Sequence, residues 1–138
     1  KLPPEPQLHP QGRTPTPMSM KATCHCGAVE LAVDLVPEGL SSARRCDCSF
    51  CARRGAVAVT APSTGLKVVR GAEALTLYQW NTRTARHWFC SICGIYTHHR
   101  RRSNPGEYGV NAACIEGVDL RALGEIPWSD GRNHPSDR

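Results

Sequence analysis

Seven of the eight cysteines in this 138-residue chain fall in three short clusters: "CHCG" (Cys24, Cys26), "CDCSFC" (Cys46, Cys48, Cys51) and "CSICG" (Cys90, Cys93). C-x-C and C-x-x-C spacings make poor disulfide frameworks, because neighbouring thiols point the same way. They make good metal hooks, because the same thiols converge on one ion. The first and third clusters are each followed at once by a glycine, Gly27 and Gly94. A glycine there lets the backbone turn back, so that amide N–H groups face the sulfurs. Two such hooks, far apart in sequence, predict a four-cysteine tetrahedral site of the structural kind, in which binding the metal is part of folding.

"CDCSFC" has three thiols and poses a question about the fourth ligand. Either a protein group completes a closed site, the candidates being Cys114, His25, His87, His98 and His99, or the position is left for water or substrate, as at catalytic zinc. Once the hooks are assigned, Cys114 is the one cysteine left. In "VNAACIEG" a β-alternation makes it a core residue, so the open site is preferred and the closed one stays in play. Three thiolates leave Zn²⁺ with net negative charge, which Arg44, Arg45, Arg53 and Arg54 on either side offset. Such a soft centre suits a substrate thiol. A free thiol, with a pKa of about 8.5, is only slightly ionised at neutral pH, and coordination ionises it.

The other polar residues have plainer readings. His25 lies between two ligand cysteines and points away, His87 is a packing or surface residue, and His98 and His99 face opposite sides of a strand. Asn111 orients a loop, Trp80, Trp88 and Phe89 are core, and Arg100–Arg102 form a solvated face. No general base stands out.

These residues need a scaffold, and the pattern between the clusters is of short β-like segments cut by turns. Ala28–Val33, Gly55–Thr60, Leu66–Gly71, Leu75–Trp80, Ala85–Phe89, Gly94–His99 and Glu107–Ile115 are the expected strands, with a hairpin turn at "NTR". "SSARRCDCSFCARR" and "VDLRAL" are short helical candidates. The expected architecture is mainly β. Residues 1–19, rich in proline, form a disordered tail; residues 20–128 form one zinc-binding domain; residues 129–138 form a loose C-terminal tail. The aromatic content of 6% is lean, so metal clips are expected to supplement the core. A net charge of +5 favours anionic partners. The chain shows neither a secretory signal nor an apolar run of about 20 residues, so a cytoplasmic protein without a membrane partner is expected, its thiols kept reduced.

"CHCGAVE", "CDCSFCARRGA" and "YQWNTRTARHWFCSICGIYTHHRRRSNPGEYGVN", in that order, resemble the glutathione-dependent formaldehyde-activating enzyme / centromere protein V family over residues 20–118. The resemblance implies a Mss4-like fold of packed antiparallel sheets. It implies a structural zinc on Cys24, Cys26, Cys90 and Cys93, and a catalytic zinc on Cys46, Cys48 and Cys51, this second site open to partial occupancy. It implies a carbon–sulfur lyase that joins glutathione, or another anionic thiol, to formaldehyde or a related small aldehyde, giving S-hydroxymethylglutathione. The centromere-protein branch and the basic charge motivate the alternative, a non-enzymatic zinc module whose arginine-rich surface binds nucleic acid or a protein partner.

Overall fold

The computed structural model describes residues 19–133, so the proline-rich stretch 1–18 and the terminal 134–138 lie outside the described residues. The described chain is mainly β. Three antiparallel strands, β1 (Met20–Thr23), β2 (Glu30–Val33) and β5 (Leu66–Arg70), form one sheet in the order β1-β2-β5. A second antiparallel sheet has the order β4-β9-β8-β7-β6, built from β4 (Ala58–Pro62), β6 (Leu75–Tyr78), β7 (Arg86–Cys90), β8 (Tyr96–Arg100) and β9 (Glu107–Asn111). One continuous hydrophobic cluster takes Leu31, Val33 and Leu66 from the first sheet and Val59, Trp88, Tyr108 and Val110 from the second. This is the expected packed-sheet architecture of a Mss4-like fold. No helix among the described residues is long and apolar enough to cross a membrane.

Several local differences from expectation have physical causes. The helical candidate around the second cluster shrinks to α1 (Ser49–Arg54). Arg45–Cys46 instead forms β3, and the helix begins only where the Cys48 sulfur accepts from the Cys51 N–H. Gly55, in the left-handed conformation, ends it one residue past Arg54. The last expected strand stops at Asn111, whose side-chain oxygen accepts from the Ala113 N–H and starts a 3-10 turn over Ala112–Cys114, so Cys114 is not in a β-alternation. "VDLRAL" likewise yields a 3-10 turn, Leu120–Leu123. The β6–β7 connection spans residues 79–85, longer than "NTR" alone, with Asn81 and Arg83 at positive φ.

The C-terminal end differs most. Trp128–Ser129 is a strand, β10, paired in parallel with Arg45–Cys46 of β3. From there to Asn133 the chain lies against the second cysteine cluster, although it reads as a loose tail in sequence.

Within the large sheet, Phe89 pairs with Tyr96 but Trp88 pairs with His98, so β8 carries one extra residue, Thr97. That bulge resets the alternation: His98 drops into the core, stacked on Trp88 at 4.8 Å between ring centroids, while Tyr96 and His99 share the opposite face. His98 is thus a core residue with no part in a metal shell. His98→Ala is expected to lower stability by about 3 kcal/mol, the cost of emptying a buried ring site, and to leave metal content unchanged. Urea denaturation alongside elemental analysis checks both.

Candidate active site and metal centres

The two hooks meet. The sulfurs of Cys24, Cys26, Cys90 and Cys93 all lie within 4.8 Å of one another. A tetrahedral zinc–thiolate site, with Zn–S near 2.3 Å, has sulfur–sulfur edges of about 3.8 Å. The Cys24–Cys26 and Cys26–Cys90 separations are 3.7 and 3.8 Å, so this donor set fits the ion expected of it. Gly27 and Gly94 both sit at positive φ, 82° and 81°, and turn each hook back on itself. The backbone N–H groups of Val29 and Ile92 then donate to the Cys24 and Cys90 sulfurs. Donation from the Cys26 and Ile95 backbones brings the Cys93 thiol down to about 6.

Cys46, Cys48 and Cys51 form a second group within the same 4.8 Å limit, and no fourth His, Cys, Asp or Glu joins them among the described residues. Each of the candidate fourth ligands is elsewhere. His25 is exposed and His98 is in the core. The Cys114 thiol donates to the Tyr96 carbonyl at 3.6 Å. Burial, with Cys24 and Cys93 nearby, pushes it up to about 11. His87 and His99 border the same cleft as the trio without entering its sulfur cluster. Within the trio, the Cys46 and Cys51 thiols donate to Cys48 and lower its pKa, while their own are raised by that same sharing. Three sulfurs this close ionise together only around a cation, which is the chemistry of a metal site.

The trio lies in a cleft of about 170 Å³. Arg44, Arg45, Arg54, Arg101 and Arg102 line it, while exposed Arg53 turns away and donates to the Ser49 carbonyl. Arg101 and Arg102 therefore belong to the cleft and not to a solvated face; of that run, Arg100 alone is directed to a loop, donating to the Pro105 carbonyl. Trp80 is a half-buried cleft wall and not core. Arg54 is the best fixed of the five. Its guanidinium lies 3.7 Å from the Tyr96 ring centroid and 4.6 Å from that of Phe50. It donates to the Cys51 sulfur at 3.5 Å and to His87 Nδ1 at 3.2 Å.

Residues 128–133 roof the cleft. Arg44 donates to the Ser129 hydroxyl and the Trp128 carbonyl, Arg102 to the Gly131 carbonyl, and the Arg132 N–H to Asp47. Gly131 lies so close that a Cβ there would collide with the Cys46 sulfur and the Cys48 Cβ.

In the same cleft as the sulfurs, β7 and β8 bring together two histidines that the sequence offers only as separate candidate ligands. His99 stacks on its cross-strand partner His87 at 5.2 Å and takes a 2.6 Å hydrogen bond with the Tyr96 hydroxyl. Gly109, opposite His99 on β9, leaves room for that ring, since any Cβ would run into it. A glycine in the middle of "EYGVN" was the available signal, because strand glycines mark close approach.

Two comparisons with known proteins bear on this arrangement. A family model described as glutathione-dependent formaldehyde-activating enzyme matches residues 19–126. The chain belongs to that family. A crystal structure of a Rhodobacter sphaeroides protein is similar, with 69% identity and a TM-score of 0.78; the match covers 80% of this chain and all of that one. The match to the formaldehyde-activating family takes in both cysteine groups, the histidine pair and every cleft arginine. It ends before the roof at residues 128–133.

Burial first, and the Arg54 guanidinium next, bring the His87 imidazole down to about 3, and the same causes hold His99 well below the ordinary imidazole range. An unfolded chain takes up these protons from about pH 6.5 downward while the folded one does not. Stability is therefore complete above that pH and falls between pH 6.5 and 3, by about 1.4 kcal/mol per pH unit for His87 alone. His87→Gln is expected to remove that part of the slope, read from denaturation midpoints across the range.

Proposed function

We propose that the protein is a zinc-dependent carbon–sulfur lyase that joins glutathione, or a closely related anionic thiol, to formaldehyde or another small aldehyde at the Cys46, Cys48 and Cys51 site. The observation that carries this reading is a trio of thiols with no fourth protein ligand among the described residues, facing an arginine-lined cleft, beside a separate four-sulfur group that is complete. Zinc on the trio would supply acidification of the substrate thiol, and zinc on Cys24, Cys26, Cys90 and Cys93 would hold the sheets together.

The remaining work falls to the chain itself. Arg44, Arg101 and Arg102 line the cleft, and guanidinium groups pair with carboxylates through two parallel hydrogen bonds, which supports a tripeptide thiol as the anionic substrate. Arg54, seated against the Cys51 sulfur, offsets the negative charge of the trio. Ser129, Asp130 and Gly131 of the roof line the cleft and Gly131 packs against the Cys46 sulfur, which supports a site with restricted access for water. The free state of all eight cysteines supports a reducing, cytoplasmic setting. Convergence of the arginines on a concavity of small-molecule size supports a small anionic substrate over a nucleic-acid face.

Calorimetric titration of the zinc-loaded protein with glutathione tests the reading. One thiol is expected to bind per chain, with binding lost in Cys48→Ser while two-state unfolding is retained. No heat at millimolar glutathione, or unchanged binding in that variant, would sink the proposal.

A further inference from the structure

We propose that His87 and His99 are the carbonyl-oxygen-binding pair of this site: two neutral imidazoles, fixed with their protons on Nε2, that together hold the aldehyde oxygen as the carbon–sulfur bond forms. The inference rests on the lyase reading above and adds to it the residues that handle the electrophile.

The tautomers follow from the partners. A guanidinium donates hydrogen bonds and never accepts them, so the contact from Arg54 makes His87 Nδ1 an acceptor and places the ring proton on Nε2. The Tyr96 hydroxyl has two neighbours, His99 Nδ1 at 2.6 Å and the Gly109 carbonyl at 3.4 Å. The hydroxyl either donates to His99 Nδ1, or donates to the Gly109 carbonyl and accepts from Nδ1–H; we assign the first, on the shorter contact, which places the His99 proton on Nε2. Burial raises the Tyr96 phenol to about 12, which keeps that donor protonated. Nε2 of neither ring is taken by a protein acceptor among the described residues, and both rings border the cleft that holds the cysteine trio.

Position and charge agree with the role. One guanidinium touches both the Cys51 sulfur and His87, so thiol-binding and carbonyl-binding sides lie across a single small space. The depressed basicity of both imidazoles, caused by burial and Arg54, keeps them as donors at neutral pH. Neutral imidazole is a suitable electrophilic partner for a carbonyl, because its N–H can stabilise developing negative charge without a prior protonation step. In the reaction, the thiol S–H bond breaks and its proton passes to solvent. The sulfur pair forms the S–C bond while the carbonyl π pair moves onto oxygen. That oxygen, held by the two N–H groups, then takes a proton from solvent and becomes the hydroxyl of the adduct. Nothing is oxidised or reduced, and the reverse sequence releases aldehyde. Arg54, Tyr96 and Gly109 are positioning residues for the pair.

Two measurements on the zinc-loaded full chain test this. Nitrogen NMR of the histidine side chains should show both rings neutral, with Nδ1 bare and Nε2 protonated at pH 7; a proton on Nδ1 of either ring overturns the proposal. Exchange spectroscopy of glutathione, formaldehyde and their adduct should show His99→Phe and His87→Phe slowing saturated exchange about 10²-fold, with glutathione affinity within about twofold of wild type. His99→Gln, whose amide nitrogen can stand near the imidazole Nε2, should recover at least tenfold of that loss. Wild-type rates in both Phe variants, or rate and affinity lost together, would refute the pair as carbonyl binders. Should the wild-type protein neither bind glutathione nor speed exchange, the lyase reading fails first, and the tautomers alone then decide whether the N–H pair exists.

Discussion

Crowded sulfur is the constraint on which this molecule is built. Seven thiols are gathered into two groups, each within 4.8 Å, and sulfurs so close ionise together only around positive charge. Everything around them supplies that charge or its equivalent. Backbone N–H groups at two left-handed glycines face the four-sulfur group, and a helix start and an arginine face the trio. The two groups differ in what holds them in place. The first joins the turn after β1 to the turn after β7, so it links the small sheet to the large one. The second is made within one short segment, Cys46 to Cys51, and borrows its surroundings from the large sheet and the C-terminal end.

Arg54 is the joint between that local segment and the sheet. From the last turn of α1 it crosses to β7 and β8, lies over Tyr96, and contacts a histidine and a cysteine at once. The bulge at Thr97 sets which β8 residues join it. Without the extra residue, Tyr96 and His99 would lie on opposite faces of β8, and only one of them could share the face of His87 and Arg54. One irregularity in strand pairing thus decides which of two adjacent histidines is core and which borders the cleft.

The cysteine groups could be foreseen in the sequence because metal hooks are local: C-x-C and C-x-x-C followed by glycine specify their own geometry. The strand pattern was equally open to view, since alternation in segments such as "LTLY" needs no tertiary information. The histidine pair could not be foreseen in the same way. His87 and His99 are adjacent only through β7–β8 register, and that register depends on a bulge that no residue type in "IYTHH" announces. The arginine run failed for a related reason. Three consecutive cations read as a solvated face, yet Arg101 and Arg102 lie just past the end of β8 and line the cleft, Arg102 reaching the Gly131 carbonyl of the roof. The roof itself was hidden because two residues of parallel pairing, Trp128–Ser129 with Arg45–Cys46, leave no periodic trace.

The 64-residue separation between Cys26 and Cys90 has a consequence for how the protein is made. Closing a loop of that length costs about 2 kcal/mol more in chain entropy than closing the five-residue span of the trio, and it must wait until β7 has been synthesised. The trio is complete as soon as Cys51 has emerged. In chain order the three-sulfur group is therefore complete before the four-sulfur group. An ion that binds both would meet the trio first.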